Sequence, residues 1–79
     1  MELTYKKLID YLNMGREVEF TYKGEQYSIT VTPDGFSFCK SNSDQSENFQ
    51  TLSNLLDQIR IDGQRLEEIW SDVQVDVVY

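Results

Sequence analysis

The stretch EVEFTYKGEQYSITVTPDGFSFC, residues 17–39, carries the pattern that predicts the fold. Apolar and polar residues alternate along it with a period of two, which is typical of strands that bury one face. Lys23-Gly24 and Thr32–Gly35 interrupt the alternation with residues that favour tight turns. The stretch therefore predicts three antiparallel strands joined by two turns.

The turn positions also predict the register of these strands. A turn centred on Lys23-Gly24 places Phe20 opposite Tyr27 and Val18 opposite Ile29, so both pairs share one face. The second turn extends this face with the pairs Val31–Phe36 and Ile29–Phe38. The other face would be polar and meet water. It would carry Glu17, Glu19, Thr21, Gln26, Ser28, Thr30, Ser37 and Cys39.

Three segments outside this stretch repeat apolar residues at the helical spacing i, i+3, i+4, i+7. They are Tyr5, Leu8, Ile9 and Leu12; Leu52, Leu55, Leu56 and Ile59; and Leu66, Ile69, Trp70 and Val73. Thr4 and Thr51 are suited to cap the first two helices, and Gly15 is suited to end the first. Trp70 falls on the apolar stripe of the third helix, which predicts a core position.

The remaining segments complete the predicted order. Residues 41–48 contain no apolar side chain and predict a mobile loop. The tail after the third helix returns to a period of two, with Val73, Val75, Val77 and Tyr79 on one side, and predicts a fourth strand. The fold class is therefore α+β, a single domain over residues 1–79. It is a two-layer sandwich of order α-β-β-β-α-α-β, with helices on one face of an antiparallel meander.

The composition excludes most catalytic chemistry. The chain has no histidine, so the commonest general base and the usual zinc ligand are both missing. Its one cysteine, Cys39, has no sequence context that would activate a thiol. The acidic run at 42–47 lacks the glycine and the twelfth-position acid of a calcium loop. We therefore expect no catalytic residues, no metal, no cofactor and no enzyme activity.

Charge separates the two halves of the chain. The net charge is −7, of which residues 1–40 carry −1 and residues 41–79 carry −6. Such a surface repels nucleic acid and anionic membranes and favours basic partners. The chain has no signal-like apolar run, and its lone cysteine is typical of a reducing compartment, so we expect a cytoplasmic protein.

One acidic cluster in the C-terminal third is a candidate partner-binding site. It comprises Asp57, Glu67, Glu68, Asp72 and Asp76. Glu68 and Asp72 would repel each other one helical turn apart, and Asp72 would lie near a negative helix end. Local helix stability thus does not explain their placement. The cluster is either a solvated face that keeps the protein soluble or a surface that docks a basic partner.

One segment of the C-terminal half contains Leu55-Leu56, Ile61-Asp62-Gly63, Leu66 and Trp70. This segment resembles one that recurs in small proteins of phages and integrated elements in Gram-positive bacteria. The element order and acidity also resemble those of small anti-CRISPR proteins that inhibit Cas9. That resemblance implies an acidic plug on the basic DNA-binding surface of a nuclease.

These observations lead to two hypotheses of function. The first is a non-enzymatic interaction or inhibitor protein, encoded by a phage or mobile element, that docks its acidic face on a basic surface of a larger protein. The alternative is a structural or regulatory homodimer that pairs through a sheet edge or the polar sheet face. An enzyme is a distant third hypothesis, because carboxylates alone would have to carry the catalysis.

Overall fold

The computed structural model describes residues 3–79 and confirms the α+β class. The elements in chain order are α1 (Tyr5–Asn13), β1 (Val18–Tyr22), β2 (Glu25–Thr32), β3 (Gly35–Lys40), β4 (Ser46–Phe49), α2 (Leu52–Gln58), α3 (Leu66–Ile69), a 3-10 turn (Trp70–Asp72) and β5 (Gln74–Val78). The strands form one antiparallel sheet in the order β4-β3-β2-β1-β5. Within residues 3–79, no helix has both the length and the apolar character needed to cross a bilayer.

The predicted register of the meander is confirmed. Phe20 lies opposite Tyr27, and Val18 lies opposite Ile29. The second pair of strands matches Ile29 with Phe38 and Val31 with Phe36. Lys23 and Gly24 both have positive φ, 50° and 78°, which is the combination that a type I′ turn requires.

The core fills the space between one sheet face and the three helices. Thr4 and Thr51 cap α1 and α2 as predicted, each accepting a hydrogen bond from a backbone N–H three residues on. Trp70 is buried among the rings of Phe20 and Tyr5, at centroid distances of 5.5 and 6.2 Å. Its indole N–H donates to the Leu3 carbonyl over 2.6 Å. The opposite sheet face, here called the open face, has no helix of the described chain packed on it.

The prediction of a loop over residues 41–48 is wrong in its second half. Ser46–Phe49 forms β4, which pairs with β3 at the sheet edge. Backbone hydrogen bonds make this pairing, and they do not depend on apolar side chains. Phe49, which lies just beyond the polar run, is partly buried opposite Phe36 and anchors the strand.

The strand predicted at the tail is confirmed, but its side-chain pattern is not. β5 pairs with β1 in two registers, Phe20 with Val75 and Glu19 with Val77, so Asp76 is an extra residue between them. This β-bulge reverses the alternation after Val75. As a result Val75 and Val78 face the core, whereas Val77 lies on the open face with Glu19.

Candidate functional site

The five predicted site residues do not share one surface. Asp57, Glu67, Glu68 and Asp72 lie in the helical layer, on α2, α3 and the 3-10 turn. Asp76 lies on the open face of the sheet, where it contacts Thr21. The sheet therefore separates Asp76 from the other four.

Two of the helical acids have local structural partners. Asp57 forms an ion pair with Arg65, with Oδ1 and Nη2 3.1 Å apart. Glu68 accepts a hydrogen bond from the Arg65 backbone N–H over 2.8 Å and so caps the start of α3. The argument that local helix stability does not explain these acids is therefore wrong for Glu68. α3 is also only four residues long, so Glu68 stands in its first turn.

Glu67 and Asp72 are the other helical acids, and both are exposed. Glu67 is close enough to Tyr5 to influence its phenol. Burial raises the pKa of Tyr5, and the negative charge of Glu67 raises that pKa further. Arg65 acts in the opposite direction on the same pKa. The positive charge of Arg65 therefore lies among the helical acids.

Asp76 is held on the open face by two neutral donors. Thr21 Oγ1 donates to Asp76 Oδ2 over 2.7 Å, and Gln74 Nε2 donates to Asp76 Oδ1 over 3.3 Å. Hydrogen bonds of this kind satisfy the carboxylate without neutralising its charge. Asp76 therefore presents a fixed negative charge beside β5.

Glu17 and Glu19 lie on the same face and also bind neutral donors. Glu17 Oε2 accepts from the Val31 backbone N–H over 3.2 Å. Glu19 Oε2 accepts from the Tyr79 hydroxyl over 2.7 Å. The Glu19 charge raises the pKa of the Tyr79 phenol, first through this hydrogen bond and then through direct repulsion of the phenolate.

Among residues 3–79, the register places no lysine or arginine on the open face of any strand. Arg16 stands at its margin, where Nε donates to the Tyr79 main-chain oxygen over 2.8 Å. The Arg16 guanidinium also lies over the Tyr11 ring, 5.2 Å from its centroid. Nearby cations therefore offset less of the negative charge of the acids on the open face than of the acids in the helical layer.

Exposed apolar side chains also lie on the open face, close to these acids. In the part of the chain that the structure describes, three large apolar residues are exposed, and two of them are Val77 and Tyr79, at 37% and 59%. Acidic and apolar groups thus combine on one surface, which we call the β1–β5 surface. It comprises Glu17, Glu19, Thr21, Gln74, Asp76, Val77 and Tyr79.

Two open grooves lie on the helical side of the sheet. One, of about 430 Å³, is lined by Tyr27 and Phe38 and by the opposite charges of Lys40 and Glu47, among others. The other, of about 660 Å³, is lined by Tyr5, Trp70 and their neighbours. Among the described contacts, no hydroxyl that lines either groove is hydrogen-bonded to a carboxylate or an amine, and no metal-ligating group of three acids or cysteines occurs within residues 3–79.

Cys39 has no activating surroundings in the structure. Its thiol lies on the open face and its only hydrogen-bond partner among the described residues is the adjoining Lys40 carbonyl, 3.7 Å away. The Lys40 ammonium is on the helical side of the sheet, where it pairs with Glu25. A cation that could stabilise a thiolate is therefore directed to the other face.

Comparisons with protein-family models, with curated proteins and with solved structures found no match to this chain. The resemblance to mobile-element and anti-CRISPR proteins stays a prediction.

The sequence pattern predicts only part of the β1–β5 surface. The alternation along β1 correctly predicts that Glu17 and Glu19 lie on the polar face, but the nearly balanced charge of residues 1–40 gives no signal of an acidic surface there. Val77 and Tyr79 were assigned to the same side as Val75, because the bulge at Asp76 leaves no clear signal in a run of alternating valines.

Proposed function

We propose that this protein is a non-enzymatic interaction protein that binds a basic surface of a larger protein. The observation that carries the proposal is the coincidence on the β1–β5 surface of three carboxylates, which have neutral partners, with two exposed apolar side chains. Interfaces combine apolar contact area with complementary charge, and tyrosine is enriched in them.

The β1–β5 surface fits this role better than the helical acids do. Asp57 is paired with Arg65, and Glu68 is used as a helix cap. Glu67 and Asp72 remain as a secondary acidic surface on the opposite side of the sheet. Bound through the β1–β5 surface, the protein would cover part of its partner and exclude other ligands by size and charge. Charge would also speed association.

The proposed setting is the cytoplasm, with a phage or mobile element as the source of the gene. The partner would be a larger, nucleic-acid-handling protein with a cationic surface. The acidity of the whole chain, at −7, opposes direct binding to nucleic acid.

The experiment compares two doubly neutralised variants with the same change in charge. Glu19→Gln with Asp76→Asn alters the β1–β5 surface and keeps an oxygen for each of the two hydroxyl donors. Glu67→Gln with Asp72→Asn is the matched control in the helical layer. Each protein is immobilised, partners are captured from a bacterial lysate, and association rates are then measured with the purified partner at low and high salt.

We expect the β1–β5 variant to associate more slowly than the wild type at low salt, with a smaller difference at high salt, where the screening length shortens. The control should associate nearly as fast as the wild type. Slower association of the control alone would assign binding to the helical acids. Salt-independent binding by all three proteins would contradict an electrostatic interaction.

A homodimer is a second candidate function, favoured by the position of β5 at the sheet edge beside exposed Val77 and Tyr79. Two β5 strands could pair across a twofold axis and continue the sheet. Sedimentation at two concentrations tests this directly. A mass that stays monomeric at both would exclude the homodimer.

A further inference from the structure

Among residues 3–79, no strand pairs with the outer edge of β5. The Tyr79 N–H donates to the Glu17 carbonyl over 2.8 Å. In an antiparallel ladder the hydrogen-bonded pairs alternate with non-bonded ones, so the next pair, Val18 and Val78, does not exchange hydrogen bonds. The N–H and C=O of Val78 therefore point away from β1, toward the outer edge.

The two edges of the sheet differ in character. β4 forms one edge with the polar sequence Ser46-Glu47-Asn48, which is well suited to water. β5 forms the other edge, and three of its five residues are valines. Edge strands of this kind are the usual templates for strand addition by a peptide.

We propose that an extended basic segment of the partner adds to the sheet as a strand beside β5. This inference rests on the proposed function and specifies how the basic partner is recognised. The segment pairs its backbone with Val78 and alternates cationic with apolar side chains. Cationic residues lie on the open face, and apolar residues lie toward the helical layer.

The side chains along β5 determine this alternation. A partner residue opposite Val78 lies beside a partly buried apolar side chain, so an apolar residue fits there. Its two neighbours point to the open face beside Val77 and Tyr79. Strands are about 4.8 Å apart, so a long lysine or arginine placed there can extend toward Asp76 and Glu19.

Charge argues for a basic segment over a second copy of the chain. Pairing two β5 strands would join two open faces that, in the described strands, carry carboxylates and no cation. Like charges close together across paired strands are destabilising. A cationic strand would instead find three carboxylates already held in place.

The test uses a short synthetic peptide of alternating valine and lysine, acetylated and amidated at its ends. Three control peptides are an alternating valine–glutamate peptide, a valine–lysine peptide of the same composition in two blocks, and an alternating valine–lysine peptide with N-methyl groups along one edge. Binding is followed by NMR through backbone amide shifts and through hydrogen exchange at the Val78 amide.

We expect the alternating basic peptide to bind, to protect the Val78 amide from exchange, and to bind at least about tenfold more tightly than each control peptide. A tenfold change corresponds to about 1.4 kcal/mol, within the range of one or two net hydrogen bonds. Equal binding of the N-methylated and unmethylated peptides would overturn strand addition. It would leave the proposed electrostatic function standing, provided that the acidic peptide still fails to bind. Absence of binding by every basic peptide would overturn the proposed recognition of an extended basic strand.

A variant of the protein provides a second test. Val78→Pro removes the outward N–H without breaking a hydrogen bond to β1, since proline is tolerated at sheet edges. Val78→Thr is the control, because it is close in shape to valine and keeps the N–H. We expect the proline variant to lose peptide binding about tenfold relative to the threonine variant. Equal binding by the two, with folding verified for both by amide spectra, would overturn the proposal.

A protein that bound its own copies in preference to the peptide would also overturn the proposal. That result would appear as concentration-dependent protection of the Val78 amide with no peptide present.

Discussion

Thr21 Oγ1 donates a hydrogen bond to Asp76 Oδ2 over 2.7 Å and so ties the centre of β1 to the bulge of β5. The bulge determines which valines of β5 reach the core and which reach the open face. This single contact therefore links the packing of the last strand to the composition of the candidate binding surface.

Removal of that contact should loosen β5. We expect Thr21→Val to lower the free energy of unfolding by about 1–2 kcal/mol, because a hydrogen bond to a charged group is lost. Asp76→Asn should cost less, since it keeps an acceptor oxygen. Denaturant unfolding measures both, and a double-mutant cycle isolates the pair. A coupling energy near zero would show that the bulge forms without this hydrogen bond.

Trp70 should be among the costliest positions of the core to truncate. It is 6% exposed, and it contacts both Phe20 and Tyr5. We expect Trp70→Ala to lower the free energy of unfolding by about 3–5 kcal/mol. Trp70→Phe keeps an aromatic ring but leaves the Leu3 carbonyl without its donor, so it should cost about 1–3 kcal/mol. A cost below about 1 kcal/mol for the alanine variant would contradict a core role.

Much of this fold could be predicted from the sequence because its signals are local. The register of β1, β2 and β3 follows from two turns and an alternating pattern, and the caps of α1 and α2 follow from Thr4 and Thr51. β4 and the bulge of β5 depend on which strands become neighbours, and that information is not local. The candidate site was missed for the same reason, since Glu19 and Asp76 meet only through long-range pairing.

Gly35 is a position where β3 and β4 come unusually close. Its φ is 146°, and a Cβ at this position would collide with the Phe49 carbonyl oxygen and lie 2.8 Å from that of Gln50. We expect Gly35→Ala to separate the start of β3 from the end of β4 and to speed amide exchange in β4 more than in β5. Gly24→Ala is a useful control, because its added Cβ meets no atom within 4 Å. Equal exchange profiles for the two variants would argue against this close contact.

Glu68 should stabilise the fold through its cap of α3. Glu68→Lys loses the hydrogen bond to the Arg65 N–H, and we expect it to cost about 0.5–2 kcal/mol in denaturant unfolding. Asp72→Lys serves as the matched charge reversal, because the side chain of Asp72 has no such role among the described contacts. An equal or smaller cost for Glu68→Lys would mean that repulsion among the helical acids outweighs the cap.

The phenol of Tyr79 should respond to alkaline pH. Its pKa is raised by the hydrogen bond to Glu19 and by the charge of that residue. A raised folded-state pKa means that the neutral phenol contributes stability below the unfolded pKa of about 10, and that this contribution is lost as pH rises through the folded pKa. We expect NMR titration to show a lower Tyr79 pKa in Glu19→Gln. An unchanged pKa in that variant would place the phenol away from Glu19.

The unequal edges of the sheet bear on how this protein could assemble. A sheet whose two edge strands can both pair with further strands can add molecules on both sides and grow into a fibre. A sheet with only one such edge stops growing after two copies have paired. β4 is polar and therefore a poor template for a further strand, so copies of this chain would add only through β5. Two copies that paired through β5 would leave only β4 edges on the outside, so the sheet could not continue into a fibre.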